Sequence, residues 1–239
     1  MVEVPLVADH LIRSGGHRDM TTTSNRTTVD ALLDRHGRTF ASAAGIRLAR
    51  NTPAPLFQTL YLSLLISARI STDIAIAATR ALRDAGWTTP AKLLDSTWRE
   101  RTDVLNGSGY ARYDESTARY LERTTDLLVD RYDGDLRNLR DEADRNPDAE
   151  HRLLTDFTGI GDLGAHVFLR EVQIVWDELV PYVDDRTLDT ATELSLPGTP
   201  DGLRGTVPDT ETFARLVAAL VRCGMAGDQD EIREVAESS

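Results

Sequence analysis

The residues best suited to chemistry in this chain stand in two places. The first is the run Leu154-Thr155-Asp156-Phe157-Thr158-Gly159-Ile160-Gly161-Asp162-Leu163-Gly164-Ala165. Two glycines around one β-branched residue predict a tight turn between two helices, because glycine admits backbone conformations and close approaches that a Cβ forbids. The free N–H groups at the start of the second helix would point outward, where they could receive a phosphate oxygen. A hairpin used only for packing has the same pattern. The second place is the acidic pair Asp184-Asp185. Either carboxylate could cap a helix, and a helix N-terminus also keeps a carboxylate ionised. His10, His17, His36 and His151 show no metal-ligand spacing with Cys223. His166 lies on an apolar helix, where a core histidine is the ordinary reading.

The elements that must position these groups read as helices throughout, and no segment alternates as a strand should. Val4 to Ile12 fits a short helix. Ser14-Gly15-Gly16 and Thr21-Thr22-Thr23-Ser24-Asn25 read as flexible. Thr28 is placed to cap a helix carrying Val29, Leu32 and Leu33 and stopped at Gly37. Leu56 to Ala68 is apolar on most sides and belongs in a core. Ser71 to Asp73 caps the next helix, which ends at Gly86. Further helices fit 90–94, 98–106, 114–132 and 135–145. The first hairpin helix follows Asn146-Pro147-Asp148 with Asp148 as its N-cap, and the second spans about 162–176. A helix from the acidic pair reaches Leu194. Pro197 to Pro208 reads as a loop, and Phe213, Leu216, Val217, Leu220 and Val221 form an apolar stripe at helical spacing. The fold class is all-α.

Four motifs in order resemble the helix-hairpin-helix DNA glycosylase superfamily, in its endonuclease III-like branch. Leu64-Leu65-Ile66-Ser67-Ala68-Arg69 resembles an L-L-S-A-Q segment, and Gly107-Ser108-Gly109-Tyr110 a G-x-Y turn. Phe157 to Ala165 resembles the L-P-G-V-G-x-x-T-A hairpin. Val183-Asp184-Asp185-Arg186-Thr187-Leu188, running to Leu194 and Leu196, resembles the V-D motif and the R-L-G-L that follows it. Together they cover roughly residues 55 to 200. The resemblance implies a two-lobed helical protein. Residues 1–26 are a partly flexible lead. A bundle over 55–177 carries the hairpin, and a second domain combines 27–54 with 178–239.

The same resemblance implies base excision: a monofunctional glycosylase that hydrolyses the N-glycosidic bond of a damaged or mismatched base in double-stranded DNA. Asp184 would be the catalytic carboxylate, stabilising positive charge that develops on the sugar, with Asp185 as the alternative. Thr158, Gly159, Ile160, Gly161 and Gly164 would grip the DNA backbone. Arg69 would wedge into the gap left by a flipped base, or simply end its helix. Arg186 would contact the backbone, or pair with the acidic residues. The family lysine that forms a Schiff base is replaced by Leu163, and Lys92 is the chain's only lysine. No lysine-dependent lyase step is therefore expected. The four-cysteine iron–sulfur cluster of many relatives is not expected either, since Cys223 stands alone, and no other cofactor or metal is expected.

Composition sets the competing expectation. The net charge is −12, whereas nucleic-acid binders usually carry a basic footprint. Asp162 occupies a hairpin position that is often basic in relatives. Both features favour a non-catalytic module, binding DNA structures or a protein, on a degenerate glycosylase scaffold. No apolar run is long enough to span a membrane. The first residues lack a signal-peptide pattern, so a cytoplasmic location is expected.

Overall fold

The computed structural model describes residues 16–68 and 70–238, with side chains from Ser24 onward. In chain order the helices are α1 (Gly16–His36), α2 (Phe40–Ala43), α3 (Pro53–Ser67), α4 (Thr72–Asp84), α5 (Pro90–Leu94), α6 (Trp98–Gly107), α7 (Asp114–Tyr132), α8 (Leu136–Glu142), α9 (Pro147–Thr155), α10 (Asp162–Val172), α11 (Asp185–Glu193), α12 (Pro200–Arg204), α13 (Thr210–Ala226) and α14 (Gln229–Glu237). The described residues contain no strand.

Buried apolar side chains form two clusters. The larger runs from Phe40 to Leu179 and is centred on α3. This helix begins with Pro53 at its first turn, where a missing N–H costs no hydrogen bond, and is buried from Leu56 to Leu65. Three of its hydroxyls bond back into the helix. Thr59 Oγ1 donates to the Pro55 carbonyl at 2.9 Å, Ser63 Oγ to Thr59 at 2.9 Å and Ser67 Oγ to Ser63 at 2.7 Å. Hydroxyls bonded back to the preceding turn let such residues sit in an apolar environment. The smaller cluster joins α1 to the C-terminal helices: Val29 and Leu32 pack with Ala191, Leu194, Leu203, Phe213, Leu216, Leu220 and Ile232. Asp228 fastens α1 to α14, accepting from Arg35 Nε and pairing with His36 Nε2, both at 2.8 Å. The segment Phe40–Leu48 packs into the larger cluster.

Four local expectations are corrected. Thr21–Asn25 is helical within α1. Thr28 caps nothing; it lies inside α1, buried, with its hydroxyl donating to the Ser24 carbonyl at 3.1 Å. The cap of α9 is Asn146 rather than Asp148, because Pro147 takes the first helical position. The Pro197–Pro208 stretch contains α12, capped by Thr199 with Pro200 at its start. The expected helix over Val4–Ile12 lies outside the described residues.

Candidate functional site

The hairpin forms where the glycines require it. Gly159 has φ +85°, in the left-handed region. Gly161 opens α10 without any side-chain cap, so the first N–H groups of α10 have no partner within the helix. Ile160 is buried between the two exposed glycines and pins the turn to the core. Thr124 Oγ1 holds the Thr158 carbonyl at 2.8 Å. Gly164 permits the close crossing of α10 on α3: a Cβ there would lie 2.5 Å from Ser67 Oγ and 3.0 Å from Ile160 Cγ2. Residues 155–163, with Ser67, line an open concavity of about 610 Å³ over this turn. Asp162 stands at its edge with its side chain 86% exposed, 3.9 Å from His151 Nε2.

A larger cleft of about 970 Å³ lies where the two apolar clusters meet. Its apolar wall includes Ile66, Ile70, Leu163 and Met225, and its polar wall includes His166, Arg170, Tyr182 and Asp184. Ser67 and Leu163 line both this cleft and the hairpin concavity. Asp184 is the N-cap of α11, accepting from Thr187 N at 3.2 Å and from Thr187 Oγ1 at 3.1 Å. Its Oδ2 also accepts from Arg170 Nη1. Burial by itself would raise the Asp184 pKa. The Arg170 charge and the hydrogen bonds from Arg170 and Thr187 more than offset that, and hold the carboxyl below its ordinary value. Beside it, His166 Nδ1 lies 2.7 Å from the Tyr182 hydroxyl. Burial pushes the His166 pKa down and the Tyr182 pKa up, so both favour their neutral forms.

The structure therefore brings together Asp184, Asp185, Arg186, Leu163 and Ser67 around one cleft. Asp185 and Arg186 are exposed beside Asp184. The acidic partner expected for Arg186 is taken by a different cation: Arg170 pairs with Asp184. Arg69 lies outside the described residues. Lys92 is exposed on α5 and does not line the cleft. Tyr110 is a core residue, its hydroxyl donating to the Leu65 carbonyl at 3.2 Å. Arg170, His166 and Tyr182 escaped the sequence reading as site residues. Arg170 did leave a signal, since an arginine inside an apolar helix must find an acceptor. The residues present do not fit an iron–sulfur cluster. Cys223 is the sole cysteine, and it is enclosed in the smaller apolar cluster, where burial pushes its thiol up to about 12.

No protein-family model matches the chain, and no curated protein matches it. Among solved structures it is similar to a trapped endonuclease III–DNA covalent intermediate in an estranged-adenine complex, at 17% identity and a TM-score of 0.43, covering 69% of this chain and 71% of that one. It is also similar to a non-covalent endonuclease III–DNA complex, at 18% identity and a TM-score of 0.43, covering 70% and 72%.

Proposed function

We propose that this protein binds double-stranded DNA through the 158–164 hairpin and hydrolyses the N-glycosidic bond of a damaged or mismatched base held in the cleft. The observation that carries this reading is the sharing of Ser67 and Leu163 by the hairpin concavity and the cleft containing Asp184. In this reading a phosphate is gripped at the free N–H groups of α10 and the adjoining nucleotide enters the cleft past Ser67 and Leu163. Asp184, kept ionised by Arg170 and Thr187, faces positive charge as the base departs and the sugar takes on oxocarbenium character. Water completes the hydrolysis, because Leu163 offers no amine for a Schiff base. A two-lobed division of 55–177 against 27–54 with 178–239 belongs to the same reading, amended in that Phe40–Leu48 packs with the 55–177 side.

A second reading is a binding module without chemistry. It is favoured by Asp162, whose exposed carboxylate repels phosphate at the hairpin, and by the net charge of −12. Single-turnover excision on a panel of lesion duplexes separates the two, with duplex affinity measured in parallel at fixed salt. Excision abolished by Asp184→Asn with affinity retained supports the enzyme. Duplex binding without excision by wild type across the panel supports the module.

A further inference from the structure

A third concavity, of about 630 Å³, adjoins the cleft at Phe40. Phe40 lines the cleft, and the Arg222 guanidinium, 4.4 Å from its ring centroid, lines the third concavity. Five basic side chains contribute to it: Arg35, His36, Arg38, Arg80 and Arg222. Arg35 and His36 are held by Asp228, and Arg35 also by Glu231. Arg38, Arg80 and Arg222 have no carboxylate within salt-bridge distance among the described residues; their partners are backbone carbonyls.

Those carbonyls fix the guanidiniums without exhausting them. Arg38 Nη2 donates to Ser42 O at 3.2 Å, Arg80 Nε to Ala43 O at 2.9 Å, and Arg222 Nε to Arg38 O at 3.0 Å. Ser42 and Ala43 are consecutive at the end of α2, so Arg38 and Arg80 are anchored side by side. The Phe40 ring seats Arg222 next to them. Each guanidinium carries five N–H donors, and these bonds engage one in Arg38, two in Arg80 and one in Arg222. Two carboxylates, Asp34 and Asp73, share the lining. Glu171 is buried nearby and accepts from Phe40 N at 3.0 Å and Ala41 N at 2.7 Å. Three guanidiniums that lack a carboxylate partner thus stand together on the lining, with Asp73 and Glu171 acting on Arg222 from the side.

We propose that this hollow binds a phosphate oxyanion, with Arg38, Arg80 and Arg222 as its donors. Anchored planar forks suit a tetrahedral oxyanion and lose little freedom on binding it. The phosphate comes either from a nucleic-acid backbone, which rests on the DNA-binding reading above, or from a free phosphorylated small molecule, which does not.

The test titrates pyrophosphate and a lesion-free duplex separately into the full chain, each over the same series of salt concentrations. Wild type is compared with Arg38→Gln, Arg38→Lys, Arg222→Lys and Asp184→Asn, each checked for folding by circular dichroism. Arg38→Gln is the main variant because Arg38 is exposed and its only side-chain bond is to one carbonyl. At least a fivefold loss is expected in Arg38→Gln, and a smaller loss in Arg38→Lys, which keeps the charge and loses the fork. Arg222→Lys should also weaken binding, since it keeps the charge and loses the fork. A backbone source gives this loss with duplex and lowers the slope of log K against log salt by about 1. A free-phosphate source gives it with pyrophosphate and leaves duplex affinity unchanged. Failure of wild type to bind either probe overturns the proposal, as does binding that Arg38→Gln and Arg222→Lys leave unaltered; the arginines then only cap α2. Asp184→Asn, read in parallel for excision on the lesion duplexes, keeps the fate of the catalytic reading separate.

Discussion

Arg170 and Asp184 form an ion pair at the polar wall of the cleft, with side chains only 7% and 11% exposed. The pair joins α10 to the N-terminus of α11. It thereby links the helix that begins at the hairpin to the helix that carries the carboxylate. Asp184 consequently has a structural part besides any chemical one. Arg170→Met strands a buried carboxylate and should destabilise by about 3–5 kcal/mol. Asp184→Asn keeps the shape and some hydrogen bonding and should cost about 1–3 kcal/mol. Urea denaturation at pH 7 measures both, and equal stability of all three proteins would show that the pair contributes nothing. Since the folded pKa of Asp184 lies below its unfolded value, its contribution is present above that unfolded value, near pH 4. It is lost as pH falls through the folded pKa.

The hairpin glycines should separate sharply when each is changed to alanine. Gly161→Ala meets nothing within 4 Å and should be nearly neutral for folding. Gly159→Ala must adopt φ +85° and meets Tyr120 Cδ2 at 3.1 Å, for a cost of about 1–2 kcal/mol. Gly164→Ala drives a methyl against Ser67 Oγ at 2.5 Å and should cost about 1–3 kcal/mol. Thermal unfolding of the three variants checks this order. A destabilised Gly161→Ala beside an unaffected Gly164→Ala would contradict the hairpin geometry.

Lysine chemistry gives a separate outcome. Leu163 is 49% exposed where the two concavities meet, and Lys92 is on α5, away from the cleft lining. Any excision by wild type should leave intact abasic sites and no adduct after borohydride. A trapped enzyme–DNA adduct that disappears in Lys92→Ala would refute hydrolysis by water. Leu163→Lys should fold normally, since an exposed surface change costs within about 0.5 kcal/mol.

The helices were legible where one physical pattern dominated. The stripe from Phe213 to Leu220 is buried as its spacing requires, and the glycines around Ile160 mark the only turn that α9 and α10 could share. Caps were legible where no neighbour competed, as at Ser71, and misread at Asp148, where Pro147 displaced the cap by two residues. Thr21–Asn25 misled because threonine and serine have weak intrinsic helix preference, which continuation of α1 overrides. The polar wall was the least legible part. Arg170 and Asp184 are 14 residues apart, and only the fold decides that this arginine, rather than Arg186, meets the carboxylate.

Glu150, which does not line the cleft, ties the stability of the fold to pH. Its side chain is fully buried on α9, close to Glu178 and the Arg140 that binds Glu178 at 2.5 Å. Burial comes first, and the neighbouring Glu178 carboxylate adds to it, pushing Glu150 up to about 8. Arg140 acts in the opposite direction without cancelling the shift. A carboxyl whose pKa is raised on folding binds more protons in the native state than in the unfolded chain, so stability falls as pH rises between the two values. The window runs from about 4.5, the model-peptide range, to about 8. Wild type should therefore lose stability across that interval and level off above it. Glu150→Gln removes the ionisation while keeping size and hydrogen-bonding capacity. It should flatten the profile and make the variant the more stable protein at pH 8.5, with a Tm advantage of several degrees that shrinks toward pH 5. Parallel pH profiles for the two proteins would show that Glu150 titrates alike in the folded and unfolded states.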